Sequence, residues 1–254
     1  CGGGGEGGPF RGSGSSFTGN LNPATASPEN VTELVIAAGE ATKRAAKQSV
    51  APRDLLSSSG SISSTCGGSL NAIVLDGQSE GSFTYNNFCL GADETRVIVN
   101  GTVLFASAGN ADIFGDAGNR MTFTYGDLKM DFATTNFVLN MFARCNGSLG
   151  SLVDCEYNED FRGENNIVYK SIDTTVSGNN TAGRRIEGTV ADSVQGAVLF
   201  VASDIIICDN FNIGAGNIAI NDSTGTTVID VVFSDDCATM DITYAGLTET
   251  VSQI

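Results

Sequence analysis

The chain has 254 residues, 41% of them hydrophobic, with 13 basic against 29 acidic side chains, a formal charge of −16, and neither histidine nor tryptophan. Its size and apolar content suffice for one large β domain or two smaller ones. The charge excludes nucleic acid as a partner, which needs clustered Lys and Arg, and speaks against docking on an anionic membrane surface. The missing histidine removes Ser-His-Asp and Cys-His catalysis together with the common zinc and haem sites.

The chain opens with Cys1 and then glycines interrupted only by Glu6 before Pro9. Cys1 with Gly2 to Gly5 resembles the start of mature bacterial lipoproteins. That resemblance implies acyl chains on Cys1, a flexible Gly/Ser-rich tether, and a folded domain outside the cytoplasm. Any membrane contact then runs through Cys1, because the densest apolar stretch, Ala197 to Cys208, is broken by Ser203 and Asp204 and is too short to span a bilayer. Residues 1–26 are read as the tether or as a connector for assembly. Phe10, Phe17 and Leu21 are poor choices for a purely solvated linker and are expected as anchors entering a partner's apolar groove.

Ser27-Pro28-Glu29 supplies an N-cap, a proline at the first helical position and an acid in the first turn. Val31, Leu34, Val35, Ala38, Thr42 and Ala45 share one face, and Lys43, Arg44 and Lys47 complement the C-terminal end. These signals predict a helix over about 28–48, within a segment 27–50, packed on a β domain that fills 51–254.

From Ser61 onward the pattern alternates. Ser82 to Tyr85, Arg96 to Asn100, Met121 to Tyr125, Thr226 to Val231 and Asp241 to Tyr244 are rich in β-branched and aromatic residues and are punctuated by Gly/Asn/Asp turns. The fold class is mainly β: an antiparallel meander of about twelve strands forming a barrel, a half-barrel or a sandwich, with one N-terminal helix. Thr248 to Ile254 offers a free terminal strand. An echo between Asn100 to Phe105 and Gln195 to Phe200 raises the question of two related β layers.

With Cys1 set aside, six cysteines remain. Fifteen pairings are open to six cysteines. Spacing favours neighbours in sequence, Cys66 with Cys89, Cys145 with Cys155 and Cys208 with Cys237, in an oxidising compartment. The odd count leaves Cys1 for a lipid or an intersubunit disulfide.

No catalytic constellation emerges. Asp154 with Glu156, and Asp235 with Asp236, are paired carboxylates beside cysteines, where a loop end is the simpler reading. Asn110, Asp112, Asp116 and Asn119 gather oxygen ligands but fit no calcium-loop spacing. No enzyme activity, cofactor or metal is expected. Two functions stay open. One is a secreted cell-surface structural protein that self-assembles, as a homo-oligomer or polymer, into an extracellular filament or surface layer through its N-terminal segment. The other is a lipid-anchored periplasmic or outer-membrane lipoprotein that binds a small apolar or glycan ligand. Unblocked β edges template strand addition, which favours the first.

Overall fold

The computed structural model describes residues 17–48, 60–64, 66–75, 79–90, 96–107, 120–132, 136–146, 153–163, 165–179, 181–208 and 212–253. Within them lie a helix, α1 (Val31–Gln48), and fourteen strands. The strands are β1 (Gly60–Ser63), β2 (Ser69–Val74), β3 (Glu80–Leu90), β4 (Val97–Ser107), β5 (Arg120–Phe132), β6 (Asn136–Asn146) and β7 (Val153–Arg162). They continue with β8 (Val168–Asn179), β9 (Gly183–Asp192), β10 (Gly196–Ile207), β11 (Ile213–Asn221), β12 (Thr227–Phe233), β13 (Thr239–Tyr244) and β14 (Leu247–Ser252).

Each strand pairs with its neighbours in sequence, so the order across the single sheet is the order along the chain. This is the expected antiparallel meander. It remains open, with β1 at one edge and β14 at the other. The strand count exceeds the expected dozen partly because β1, Gly-Ser-Ile-Ser, carries no apolar alternation to announce it.

Alternation sets the two faces. In β10, Val198, Phe200 and Ala202 are buried while Leu199 between them is exposed; in β4, Val103 and Phe105 are buried and Leu104 faces out. The echo between these segments is therefore an echo of face. Burying each such aliphatic or aromatic side chain contributes about 1.5–3 kcal/mol. The inner-face residues of β2 to β13 join one hydrophobic core with α1.

Four of the strands carry bulges. Asn87, Asp127, Asp173 and Asp204 adopt positive φ (47°, 49°, 50° and 56°) inside β3, β5, β8 and β10. Each coincides with a shift of pairing register. Asn and Asp tolerate the left-handed conformation better than other side-chain-bearing residues. A bulge of this kind bends its strand and increases the local twist. The Asp204 bulge presses on Gly183 of β9 and Gly216 of β11, at φ 88° and 105°, where a Cβ would strike the Asp204 backbone.

α1 begins as its sequence requires. The carbonyl of Ser27 accepts hydrogen bonds from the Asn30 and Val31 amides, both at 3.1 Å. The Asn30 Oδ1 accepts the Ser27 amide at 2.8 Å, so two N-terminal groups satisfy one another across the first turn. Leu34, Val35, Ala38, Thr42 and Ala45 are buried as expected, and Ala37, Ala41 and Ala46 join them. The small residues let α1 lie close on the sheet, where it contacts β8 to β12. Lys43 and Arg44 depart from expectation. Both are buried, and Arg44 serves an internal ion pair instead of an exposed helix end. The side chain of Lys47 lies outside the described residues.

Candidate functional site

The two sheet edges are the feature with the greatest capacity to bind. β13 and β14 are joined by Ala245 and Gly246, both at positive φ (51° and 80°), a two-residue turn of the type that matches strand twist. Its closing pair is Tyr244 with Leu247, and bonded pairs alternate from there. The Gln253 amide donates to the Ala238 carbonyl at 2.7 Å, which confirms the phase. Glu249 and Val251 are thus bonded to β13, and the amides and carbonyls of Thr248, Thr250 and Ser252 point away from the sheet.

The same argument applies to β1. Ser64 donates to the Gly68 carbonyl at 3.2 Å, so Ile62 and Gly60 are bonded to β2 in the register Ile62 to Leu70 and Gly60 to Ala72. The outward groups belong to Ser61 and Ser63. Neither edge carries the usual protection: β1 and β14 contain no proline, lysine or bulge, and Glu249 is the single charge in the two strands. Among the described residues, no strand pairs with either outer edge.

Residues 17–26 strap one end of the sheet. β10 extends beyond the end of β11, and there Asn22 and Ala24 take the vacant side: the Ala197 amide donates to the Asn22 carbonyl at 2.9 Å and the Ala24 amide to the Ala197 carbonyl at 2.8 Å. Phe17 is half-buried beside Gly19 and its amide donates to Asp160 Oδ2 at 3.0 Å. Leu21 is 52% exposed. Of the three expected anchors, Leu21 is thus presented to solvent and Phe17 is folded back on the chain's own surface. Phe10 and Cys1 lie outside the described residues.

A pocket opens between Val35, Ile36, Gly39, Glu40 and Lys43 of α1 and Ile213, Phe233, Met240 and Gln253, with about 360 Å³ of space including its open side. Its polar groups are engaged. The Gln253 side chain accepts from the Ile213 amide at 3.0 Å and donates to the Ile213 carbonyl at 2.7 Å, and Lys43 Nζ reaches Asn212 Oδ1 at 3.5 Å. What the pocket offers a ligand is mainly apolar wall.

The buried charges are structural fasteners. Arg44 Nε donates to both Glu159 oxygens at 3.1 Å, its Nη2 bonds Glu159 Oε1 and the Val138 carbonyl, the latter at 2.7 Å, and the guanidinium stands 5.9 Å from the Phe161 ring centre. These contacts tie α1 to β6 and β7. Burial pushes the Tyr169 phenol above its ordinary range, partly opposed by the Asn165 amide at 2.7 Å and reinforced by the charges of Asp192 and Glu40.

The paired carboxylates resolve into turns and surface pairs. Asp236 accepts the amides of Ala238 (2.9 Å) and Thr239 (3.0 Å) and the Thr239 hydroxyl, and these bonds hold its carboxyl below the usual range. Glu156 pairs with Arg144 at 3.8 Å on the surface. The Asp154 side chain and the whole Asn110 to Asn119 group lie outside the described residues. Among the described residues, no group of three His, Cys, Asp or Glu is placed to hold a metal ion.

All three expected disulfides form: Cys66–Cys89, Cys145–Cys155 and Cys208–Cys237, with Cα separations of 5.5, 4.1 and 6.3 Å. They fit an extracellular or otherwise oxidising compartment. No helix among the described residues is long and apolar enough to cross a membrane. No protein-family model matches the chain, and no curated protein or solved structure matches it either.

Proposed function

We propose that this chain is a secreted, non-enzymatic structural protein whose copies add to one another through their sheet edges to build an extracellular filament or surface layer. The observation that carries the reading is the open meander with two edges that no strand covers among the described residues. Each outward amide and carbonyl that finds a strand partner exchanges water for a protein hydrogen bond worth about 0.5–1.5 kcal/mol net. The N-terminal segment supplies a further contact between copies, with Leu21 and Phe10 as apolar anchors and Cys1 as the site of a lipid or of an intersubunit disulfide. Disulfides then hold the subunit together outside the cell.

A charge of −16 per copy opposes association at low ionic strength. Negative-stain imaging and sedimentation of natively folded protein across a salt series test the proposal. Ordered polymers whose yield rises with salt are expected, and dispersed monomers at every salt concentration refute it. Deleting residues 1–22 separates the contribution of the N-terminal segment from that of the edges.

The pocket beside α1 favours a second reading, a lipid-anchored monomer holding a small apolar ligand. Intact mass with added acyl chains on Cys1, and a retained apolar molecule in native mass spectrometry, support that reading against the first.

A further inference from the structure

Resting on that assembly reading, we infer that the joint is one specific seam: β14 of one copy pairs antiparallel with β1 of the next, head to tail, in the register Ser61 to Ser252, Ile62 to Val251 and Ser63 to Thr250. Direction is the first argument. Fourteen strands alternate in direction across the sheet, so β1 and β14 run oppositely, and a second copy placed in the same orientation continues the alternation across the seam without interruption. An odd number of strands would have forced a parallel joint.

Facing is the second argument. In an antiparallel bonded pair, two opposed residues point their backbone groups at each other and their side chains to the same face. The outward groups of β14 belong to Thr248, Thr250 and Ser252; those of β1 belong to Ser61 and Ser63. Thr250 lies opposite Asp241, whose row is on the outer face, because its neighbours Met240 and Ile242 are buried. Ser61 lies opposite exposed Asn71, between buried Leu70 and Ala72. Both sets of outward groups therefore come from outer-face residues, and the seam keeps inner face with inner face. The chosen register sets Ile62 opposite Val251, an apolar residue opposite an apolar one. A shift by two residues sets Ile62 opposite Glu249 instead.

Charge is the third argument. β1 carries no ionisable residue and β14 carries Glu249 alone, so the head-to-tail seam opposes no like charges. Pairing two β14 edges about a two-fold axis centred on Thr250 places the two Glu249 residues diagonally across the seam, within reach of one another. The head-to-tail contact is heterologous, and it propagates into an open assembly unless its rotation closes a ring.

Proline at an outward-facing position removes a donor the sheet does not use, and edge strands tolerate it there. Thr250→Pro blocks β14 and Ser61→Pro blocks β1. Each variant of the full chain, checked by circular dichroism, is expected to raise the critical concentration for polymerisation by roughly tenfold or more, since each deletes bonds from the seam. Mixed one to one, the variants are expected to form a discrete heterodimer, because the Thr250→Pro copy retains a free β1 and the Ser61→Pro copy a free β14. Should either proline prevent folding, copies bearing Ser63→Cys and Thr250→Cys in a Cys1→Ser background are mixed and oxidised. Cross-links between the two kinds of copy are expected. Polymers that persist in both proline variants, homodimers of the Ser61→Pro copy, or cross-links confined to Thr250→Cys with itself overturn this seam while leaving assembly standing. Wild-type protein that never polymerises overturns the assembly reading itself.

Discussion

Arg44→Met tests the role assigned to the buried ion pair. Arg44 and Glu159 are 8% and 2% exposed, and the guanidinium meets both carboxylate oxygens and the Val138 carbonyl at once. Methionine fills similar space but leaves Glu159 charged and without that partner in the core. Removing one member of a buried pair costs about 3–5 kcal/mol, chiefly the desolvation of the charge left behind. Against a total stability of about 5–15 kcal/mol this is a large fraction. Equilibrium unfolding in denaturant, with the disulfides intact, should show the midpoint falling with little change in slope. The double variant Arg44→Met with Glu159→Met should recover most of the loss, because no uncompensated charge remains. A single variant costing less than about 1 kcal/mol, the range of an exposed pair, would refute the reasoning. So would a double variant no more stable than the single one.

Further outcomes follow from particular residues. Gly39 sits in the interior of α1 with no atom within 4 Å of an added Cβ, so Gly39→Ala should stabilise the protein by about 0.5–1 kcal/mol in the same unfolding assay. Loop-closure entropy ranks the disulfides: with 29 residues of separation against 10, paired Cys→Ala replacement of Cys208 and Cys237 should cost about 3.6 kcal/mol and that of Cys145 and Cys155 about 2.8 kcal/mol. Burial raises the phenol pKa of Tyr85 and of Tyr169. A raised folded-state value leaves the contribution fully present below the unfolded tyrosine pKa of about 10 and removes it as pH rises beyond that. Thermal melts should therefore hold steady up to about pH 10 and fall above it, with phenolate absorbance appearing together with unfolding. Asp236 is shifted the other way, so its contribution is present above the ordinary carboxylate range and is lost as pH falls below it. A proton titration followed by NMR should find Asp236 protonating below the ordinary carboxylate range, and Thr239→Ala, which removes one of its donors, should move it back toward that range.

Much of this fold was legible because its signals are local. A two-residue period reports which face of a strand is buried, as Val198-Leu199-Phe200 shows. Ser27, Pro28 and Glu29 announce the helix start through signals that span one turn. The disulfide pairing was readable from spacing because a meander brings together only cysteines near in sequence. The candidate site was legible in part. Thr248 to Ile254 was expected as a terminal strand, and β14 (Leu247–Ser252) forms one of the two edges that no strand pairs with among the described residues. β1 was missed because Gly60 to Ser63 contains a single apolar residue, and no composition signal marks a strand that short.

The sequence by itself determined the strands with a clear apolar alternation, their inner and outer faces, the helix and the cross-links, since each depends on interactions within a few dozen residues. Only the tertiary structure decided that the sheet stays open and that Arg44 belongs inside. Closure depends on twist and bulge angles summed over thirteen pairings, including left-handed turns at Asn87, Asp127, Asp173 and Asp204 that in a sequence look like ordinary polar positions. A helical arginine reads as solvent-facing because burying a lone charge is prohibitive. It becomes tolerable only when Glu159, 115 residues away, is brought within hydrogen-bonding distance by the folding of the sheet around α1.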